Sequence, residues 1–258
     1  MAPSGVSGDV MGYVGGYSLK DYYNSSYDLT GYLAGGAGRV VVSLSPEASA
    51  QFDLSGEHLV DDLGYDYSVY DAAGHLTWHG DGFLLGGMAS LGSTDNYEMS
   101  GTFATLGVDA QTAMDQLVLS GQAGVTKSLS VSDGYDVMAP YVRGQLSYFL
   151  TPNMAISANL GAVHEVYDGS DDPIDALTWG AALEYRLDDS PVSLFASYQG
   201  SFAQESSEDE SWASNLIAVG IKFNFGSDTL QQAATSGAAI RDYNPITGVE
   251  HLRYNNWE

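Results

Sequence analysis

Near its end the chain reads Asn215-Leu216-Ile217-Ala218-Val219-Gly220-Ile221-Lys222-Phe223-Asn224-Phe225. Bulky apolar residues occupy every second position, and the residues between them are mostly smaller or polar. This alternation predicts a β-strand, because successive side chains in a strand point to opposite faces. One face suits lipid, and the other suits a wet or tightly packed lumen. The first face carries Ile217, Val219, Ile221, Phe223 and Phe225, and the second carries Leu216, Ala218, Gly220, Lys222 and Asn224.

A second stretch, Asp175 to Leu187, repeats the alternation. Such segments come in pairs around short turn-forming breaks, and longer polar segments separate the pairs. Short turns at one end and longer loops at the other are typical of membrane barrels. The short breaks lie at 45–47, 79–82, 113–115, 151–153 and 188–191, and the long polar segments lie at 19–28, 58–71, 92–100, 127–136, 167–174 and 204–211.

These breaks predict the number of strands. Five turns join ten strands, and a first strand near Gly8 to Ser18 with a last one ending at Phe225 makes twelve. The predicted fold is all-β, a transmembrane antiparallel up-and-down β-barrel. An even strand number places both termini on the periplasmic side. The predicted organisation is a periplasmic lead at 1–7, the barrel at 8–226 and a periplasmic tail at 227–258.

Composition excludes several classes of protein. The 258 residues include 8 Lys+Arg against 33 Asp+Glu, a formal charge of −25, which is too acidic for a nucleic-acid binder. Cysteine is absent, so disulfides, thiolate metal sites and cysteine nucleophiles are excluded. Since no uninterrupted apolar stretch of about 18 residues occurs, no transmembrane helix is expected. The first ten residues do not read as a signal peptide, and we expect one to have been removed.

A soluble β-sandwich or lipocalin-like barrel shows the same alternation and is the alternative fold. Three observations favour the membrane barrel. The less apolar face carries Gly, Ser, Thr, Gln and scattered charges, which suit a dry core poorly. Turns and loops differ in length throughout, and aromatic residues gather at strand ends as in interfacial girdles. These are Tyr148, Phe149, Tyr185, Phe223 and Phe225 near the turns and Tyr17, Tyr135, Tyr167 and Trp212 near the loops.

On these features the chain resembles the bacterial outer-membrane β-barrel superfamily, particularly its small porin-like barrels. The stretch Ile217 to Phe225 resembles the last-strand signal that the barrel-assembly machinery reads, with Phe223 and Phe225 as its aromatic residues. The signal usually closes the chain, whereas here 33 residues follow Phe225. The resemblance implies the outer membrane of a Gram-negative bacterium, contacts with lipid and lipopolysaccharide, and assembly by that machinery. A homo-oligomer is left open.

Alternation also assigns charged residues to the lumen. Twelve strands about 4.8 Å apart and tilted by ~40° form a barrel with a backbone diameter of roughly 24 Å. Inward side chains would reduce this to about 10 Å of clear width. Basic residues facing lipid at the midplane would cost ~2 to 4 kcal/mol, so inward charges need no functional motive. Alternatively, they form a constriction that sorts solutes by charge. The predicted inward charges are Arg39, Asp53, Glu57, Asp109, Arg143, Glu184, Arg186 and Lys222.

The predicted outer loops are strongly acidic, notably at 61–66, 168–175 and 205–210. Such runs are ordinarily solvated surface, yet they would also attract cations to a pore mouth. Clustered carboxylates suit Ca²⁺, for which the candidate ligands are Asp168, Asp171, Asp172 and Asp175. Their spacing does not match a known calcium-loop motif. No other cofactor is predicted.

No enzyme is predicted. His164 falls on the outer face, as in barrel phospholipases, but the next position on that face is Val166 rather than serine. A protease-like Asp/His group above the lumen would use His58 with Asp61 and Asp62, and their spacing is not diagnostic.

The sequence favours a passive channel for ions and small hydrophilic solutes, biased toward cations. The rival hypothesis is a non-conducting structural barrel that binds a surface layer, lipid or partner protein through its loops or tail. An autotransporter-type translocator has a similar size and strand number, but few residues precede the first strand to supply the helix of that family. The aromatic tail at 227–258 is either flexible, a plug in the lumen or a dock for a partner.

Overall fold

The computed structural model describes residues 5–21, 28–64, 66–96, 100–131, 136–168, 173–205 and 211–240. Within these ranges the chain forms twelve β-strands and one short helix, α1 (Leu230–Ala234). The strands are β1 (Val6–Asp21), β2 (Leu29–Ser45), β3 (Ala48–Asp61), β4 (Asp66–His79), β5 (Phe83–Asn96), β6 (Ser100–Met114), β7 (Leu117–Val131), β8 (Val137–Thr151), β9 (Met154–Tyr167), β10 (Ile174–Arg186), β11 (Val192–Glu205) and β12 (Ser211–Phe225).

The strands form one closed, antiparallel, up-and-down barrel, as predicted. Each strand pairs with its neighbours in sequence, and β1 also pairs with β12 to close the ring. At this seam Gly8 lies opposite Phe225 and Val14 opposite Val219. Closure satisfies the backbone groups of both terminal strands, which would otherwise be exposed to lipid.

All five predicted turns are confirmed, and they lie at the same end of the barrel, here called the turn end. The opposite end is called the loop end. The strands extend further toward the loop end than predicted, because their alternation continues there. The predicted loop at 58–71, for example, shrinks to the residues between Asp61 and Asp66, since Leu59 and Tyr67 still turn buried side chains inward.

The outer surface of the barrel is apolar. On β12, Ile217, Val219 and Ile221 are 62%, 54% and 59% exposed, as the alternation predicted. Leu106, in the middle of β6, is 69% exposed. A soluble protein would bury such side chains, whereas a membrane barrel presents them to the acyl chains. Among the described residues no helix is long and apolar enough to cross a membrane.

The predicted aromatic girdles are only partly correct. Near the turns, Tyr148, Tyr185 and Phe223 do face outward, with exposures of 42%, 38% and 51%. Phe149 faces inward and is buried. The predicted loop-side set is wrong for its described members: Tyr167 and Trp212 are buried inside the barrel, and Tyr17 also faces inward. Tyr135 lies outside the described residues. These large inward residues fill the lumen rather than anchor the wall.

The outward position of Val219, at the middle of β12, gives a stability prediction. Val219→Arg should lower the free energy of unfolding by about 2 to 4 kcal/mol, because the guanidinium would lie in the hydrocarbon region. The measurement is urea unfolding in lipid vesicles. Val219→Leu, which keeps the site apolar, is the matched control and should unfold at nearly the same urea concentration. Equal midpoints for both variants would contradict this orientation of β12.

Candidate functional site

The lumen contains the eight charged residues that alternation assigned to it, since each lies in phase with the inward side of its strand. Their environments differ. Asp53 and Asp109 are each 5% exposed, so water scarcely reaches them. The side chains of Lys222 and Glu184 are 16% and 20% exposed. The lumen therefore has a buried polar side and a wetter one.

The buried side holds a continuous polar network across the inner wall. Arg39 on β2 places its Nε 3.1 Å from Oδ1 of Asp53 on β3. His75 on β4 bridges two carboxylates: its Nε2 lies 3.3 Å from Asp53 Oδ2, and its Nδ1 lies 2.7 Å from Asp109 Oδ2. The network continues from Asp109 on β6, whose Oδ1 accepts a hydrogen bond of 2.9 Å from the amide of Gln122 on β7.

Further donors complete this network. Gln51 donates to Asp53 Oδ2 at 2.8 Å. Arg143 on β8 donates through Nε to Gln122 Oε1 at 3.0 Å, and the hydroxyl of Tyr141 donates to the same oxygen at 3.2 Å. Buried charges are tolerated only when they are paired and hydrogen-bonded, and each carboxylate here has at least two partners. Alternation in the sequence predicted the charges on this wall but did not predict His75 as their bridge.

The wetter side holds a second ion pair. Lys222 Nζ on β12 lies 2.6 Å from Glu184 Oε2 on β10. Glu57 accepts a hydrogen bond of 2.9 Å from the hydroxyl of Tyr13, across the lumen face of β1 to β3. Arg186 donates instead to backbone carbonyls, those of Ser190 and Ser227, both at 2.8 Å. Five of the eight sequence-predicted charges thus have acid–base partners: Arg39 pairs with Asp53, Lys222 with Glu184, and Asp109 with His75.

An apolar cluster fills the lumen at the loop end. Its members come from β1, β2, β6 and β8 to β12, and all are buried. Phe103 and Ile174 are not exposed at all. The cluster comprises Leu19, Leu29, Phe103, Val137, Ala139, Tyr141, Val163, Tyr167, Ile174, Ala176, Ala203 and Trp212. Sequence reasoning missed this packing, although bulky residues at inward positions beside the loops are its signal.

The middle of the lumen is more accessible. Gln199 on β11 is exposed, and Asn159 on β9 and Gln145 on β8 are half-buried, although all three face inward. Gly180 lies between Asn159 and Gln199 in the register, and a Cβ there would meet both amides. The missing side chain leaves room for the two amides to extend over β10. Unfilled space large enough for water therefore borders amide groups halfway along the barrel.

Residues 227–240, here called the tail segment, fold into the turn-end mouth. Leu230 of α1 is buried against Val118, Phe149 and Ala155. Gly226, with φ of +72°, turns the chain back toward the barrel directly after β12, and a Cβ there would collide with the backbone of β1. Only glycine combines that conformation with so close an approach. The hypothesis of a flexible tail is therefore wrong for residues 227–240.

Polar side chains of the wall hold the tail segment. Gln111 on β6 donates to the carbonyl of Ala234 at 3.0 Å and accepts from the amide of Ala239 at 2.9 Å. Arg39 donates to the carbonyl of Ala239 at 3.4 Å, and Arg186 donates to Ser227. The segment thus contacts opposite sides of the mouth. The tail residues Arg241, Tyr243, His251, Arg253, Tyr254 and Trp257 lie outside the described residues.

The other candidate sites are not assembled among the described residues. Asp168 and Asp175 are exposed, Asp171 and Asp172 lie outside the described ranges, and within those ranges no three His, Asp or Glu side chains are arranged so that they could hold a metal ion. The calcium site stays a prediction. Asp175 instead binds His164 on the outer wall, with 2.7 Å between Oδ1 and Nδ1.

The protease-like group does not form either. His58 faces outward, where its Nδ1 lies 2.9 Å from the hydroxyl of Ser68. Asp61 is buried on the inward side, and its Oδ1 accepts a hydrogen bond from the amide of Leu63. Since the wall separates His58 from Asp61, the two cannot act on one substrate. Asp62 is exposed and accepts a hydrogen bond from Thr30.

Solved structures show the same fold. A Pseudomonas putida F1 outer-membrane channel aligns over 87% of this chain and 97% of its own, at a TM-score of 0.60 and 13% identity. The translocator domain of the autotransporter NalP from Neisseria meningitidis aligns over 86% of this chain and 89% of its own, at a TM-score of 0.55 and 13% identity. The β domain of the Bordetella autotransporter BrkA aligns over 85% of this chain and 100% of its own, at a TM-score of 0.52 and 15% identity. No protein-family model and no curated protein matches the sequence.

The closed barrel and its apolar outer surface define the chain as a transmembrane β-barrel, and its fold is that of the outer-membrane proteins named above. At such low identity the likeness shows the fold alone. Channels and autotransporter domains share that fold, so the function rests on the lumen.

The position of His75 between two buried carboxylates gives a second prediction. His75→Leu should lower the free energy of unfolding by about 3 to 5 kcal/mol, because Asp53 and Asp109 would lose their shared partner inside the wall. Urea unfolding in detergent or lipid checks this. His58→Leu makes the same chemical change on the outer face and should cost less than about 1 kcal/mol. If His75→Leu were as stable as the wild type, the bridge would contribute nothing.

Proposed function

We propose that this barrel is a channel for ions and small hydrophilic solutes, biased toward cations, and that the conformation described is a closed one. The observation that carries this proposal is the polar, water-accessible middle of the lumen inside an apolar wall. Gln199 and Asn159 line that region, and the Lys222–Glu184 pair lies between it and the turn end. A barrel needed only as a wall could fill its interior with apolar side chains, as the loop end does.

The cation bias follows from the charge distribution. The whole chain carries −25, and this field draws cations toward both mouths. Inward carboxylates also outnumber inward basic groups in the described strands. They are Asp9, Asp53, Glu57, Asp61, Asp71, Asp109, Glu165, Glu184 and Glu205, against Arg39, Arg143, Arg186 and Lys222. A lumen of this sign stabilises cations in transit.

A non-conducting barrel is the second candidate, and the loop-end cluster favours it. Phe103 and Ile174 are completely buried there, so the cluster packs like a protein core. A channel requires this cluster to rearrange, whereas a structural barrel does not. Current through the purified protein separates the two candidates.

We expect purified full-length protein in planar bilayers to give single-channel currents whose reversal potential in a salt gradient shows cation preference. Lys222→Gln should move the reversal potential further toward the cation value, because it removes the cation that neutralises Glu184 in the lumen. Lys127→Gln is the matched control, because this substitution removes the same charge from the outer face. The side chain of Lys127 is 61% exposed there.

The possible outcomes are distinct. A larger shift in Lys222→Gln than in Lys127→Gln supports a conducting lumen lined by this pair. Equal shifts would mean that overall charge alone sets the selectivity and that the Lys222–Glu184 pair in the lumen does not. Silence of the full chain and of variants with a displaced tail segment would overturn the channel and favour the non-conducting barrel.

We further propose that the assembly machinery of the outer membrane recognises β12, the strand beside the seam. Phe223 is half exposed to lipid, and the ring of Phe225 lies against Gly8 of β1. Their aromatic rings at the turn end suit a recognition element of the kind that the sequence resembles. Lipid and lipopolysaccharide are the surroundings of the outer wall in this proposal.

Replacing both phenylalanines by alanine should slow folding by reconstituted assembly machinery far more than spontaneous folding in detergent, because only the first process reads the signal. Folded barrel is measured by its heat-modifiable gel mobility. Ile221→Ala, on the same face, is the control for lost apolar area. Equal slowing in both assays would show that the rings serve packing alone.

A further inference from the structure

The tail segment leaves the barrel and returns to it, and its contacts cross the turn-end mouth. Leu230 packs on β7 to β9, Gln111 holds the segment from β6, and Arg39 and Arg186 hold it from β2 and β10. Ser236, Gly237, Ala238 and Ile240 are buried. A segment that contacts strands on both sides of a ring must cross the space between them. It therefore obstructs the mouth.

The anchoring of the segment is modest compared with that of a strand. Between 227 and 240 the large apolar residues are Leu230 and Ile240, and most other positions hold Ala, Ser, Gly, Thr or Gln. Small side chains fill space without interlocking with the wall, so separating them costs less than separating large ones. The hydrogen bonds from Gln111 and Arg39 end on backbone carbonyls and one amide, groups that water can satisfy when the segment leaves.

The fit is nevertheless specific. Gly237 lies against Gln51 and Val41, where an added Cβ would collide with the amide of Gln51. The side-chain amide of Gln111 binds the segment at two points: its nitrogen donates to the carbonyl of Ala234, and its oxygen accepts from the amide of Ala239. Arg39 contacts the segment while it also binds Asp53 of the buried network. The lumen wall is thus shaped to receive this stretch of chain.

We propose that residues 227–240 form a displaceable plug, an autoinhibitory segment of the chain that closes the turn-end mouth and controls access of solutes to the middle of the lumen. Displacement breaks the hydrogen bonds of the segment to the wall and to the turns at Asp115 and Asn153, but it leaves the strand ladder of the barrel intact. The plug and the channel are separate claims, because access to the lumen from one end does not require passage through the other.

The absence of cysteine allows a direct test of access. Gln199→Cys in the full chain places a single thiol on the accessible lumen wall, and its modification by a small charged methanethiosulfonate reagent reports entry. Two displacing substitutions are added separately: Gly237→Leu, which clashes with Gln51 and Val41, and Leu230→Ala, which weakens the anchor. Gln232→Leu is the matched control, since Gln232 is exposed on α1 and its side chain accepts a hydrogen bond from Asp228 of the segment itself rather than from the wall. Ser45→Cys, at the exposed end of β2, calibrates reagent reactivity.

We expect the thiol at position 199 to react slowly in the parent protein and about tenfold faster or more with either displacing substitution, because the open state is then more populated. The control should react at the parent rate. Heat-modifiable gel mobility verifies that each barrel is folded. If Gly237→Leu does not fold, Leu230→Ala still provides a displaced tail segment for the test. Equal rates in all folded variants would overturn the plug. Since labelling needs no current, a silent bilayer would count against the channel and leave this result standing.

Discussion

A backbone that crosses a membrane cannot leave its N–H and C=O groups unpaired in hydrocarbon, and this constraint dictates the rest of the molecule. A sheet meets it only by closing, which here requires β1 to pair with β12. Closure then gives every strand an outer and an inner face. Since the outer face must be apolar, the strand charges are concentrated in the lumen, where Asp53, His75 and Asp109 bind one another rather than solvent.

The lumen consequently combines two kinds of interior. Beside the loops it is packed with aromatic and aliphatic side chains such as Phe103 and Trp212, as in a soluble core. Farther along it is polar, with a dry network on β2 to β8 and a wetter wall near Gln199. The first interior holds the barrel in one shape, and the second provides the groups that interact with a solute.

Period-two patterning made the barrel predictable, because membrane strands expose one complete face to lipid. The stretch around Val219 therefore predicted the orientation of β12, and the turn residues predicted where the strands reverse. The same rule predicts only which side of the wall a residue faces. It placed Tyr167 and Trp212 in a girdle because aromatic residues near strand ends are ordinarily interfacial, but both lie on the inward side of their strands. The bridge at His75 and the two hydrogen bonds from Gln111 to the tail segment join parts of the chain that are distant in sequence, and no local pattern predicts such contacts.

Glycine at position 226 also bears on the order in which the molecule is built. The tail segment follows the last strand immediately, yet its partners Val118, Phe149 and Gln111 lie on strands across the ring. Its receiving surface is complete only when those strands have curved into a closed ring. The complete set of contacts of residues 227–240 therefore requires the closed ring, and a chain halted before β1 pairs with β12 would carry this segment incompletely docked.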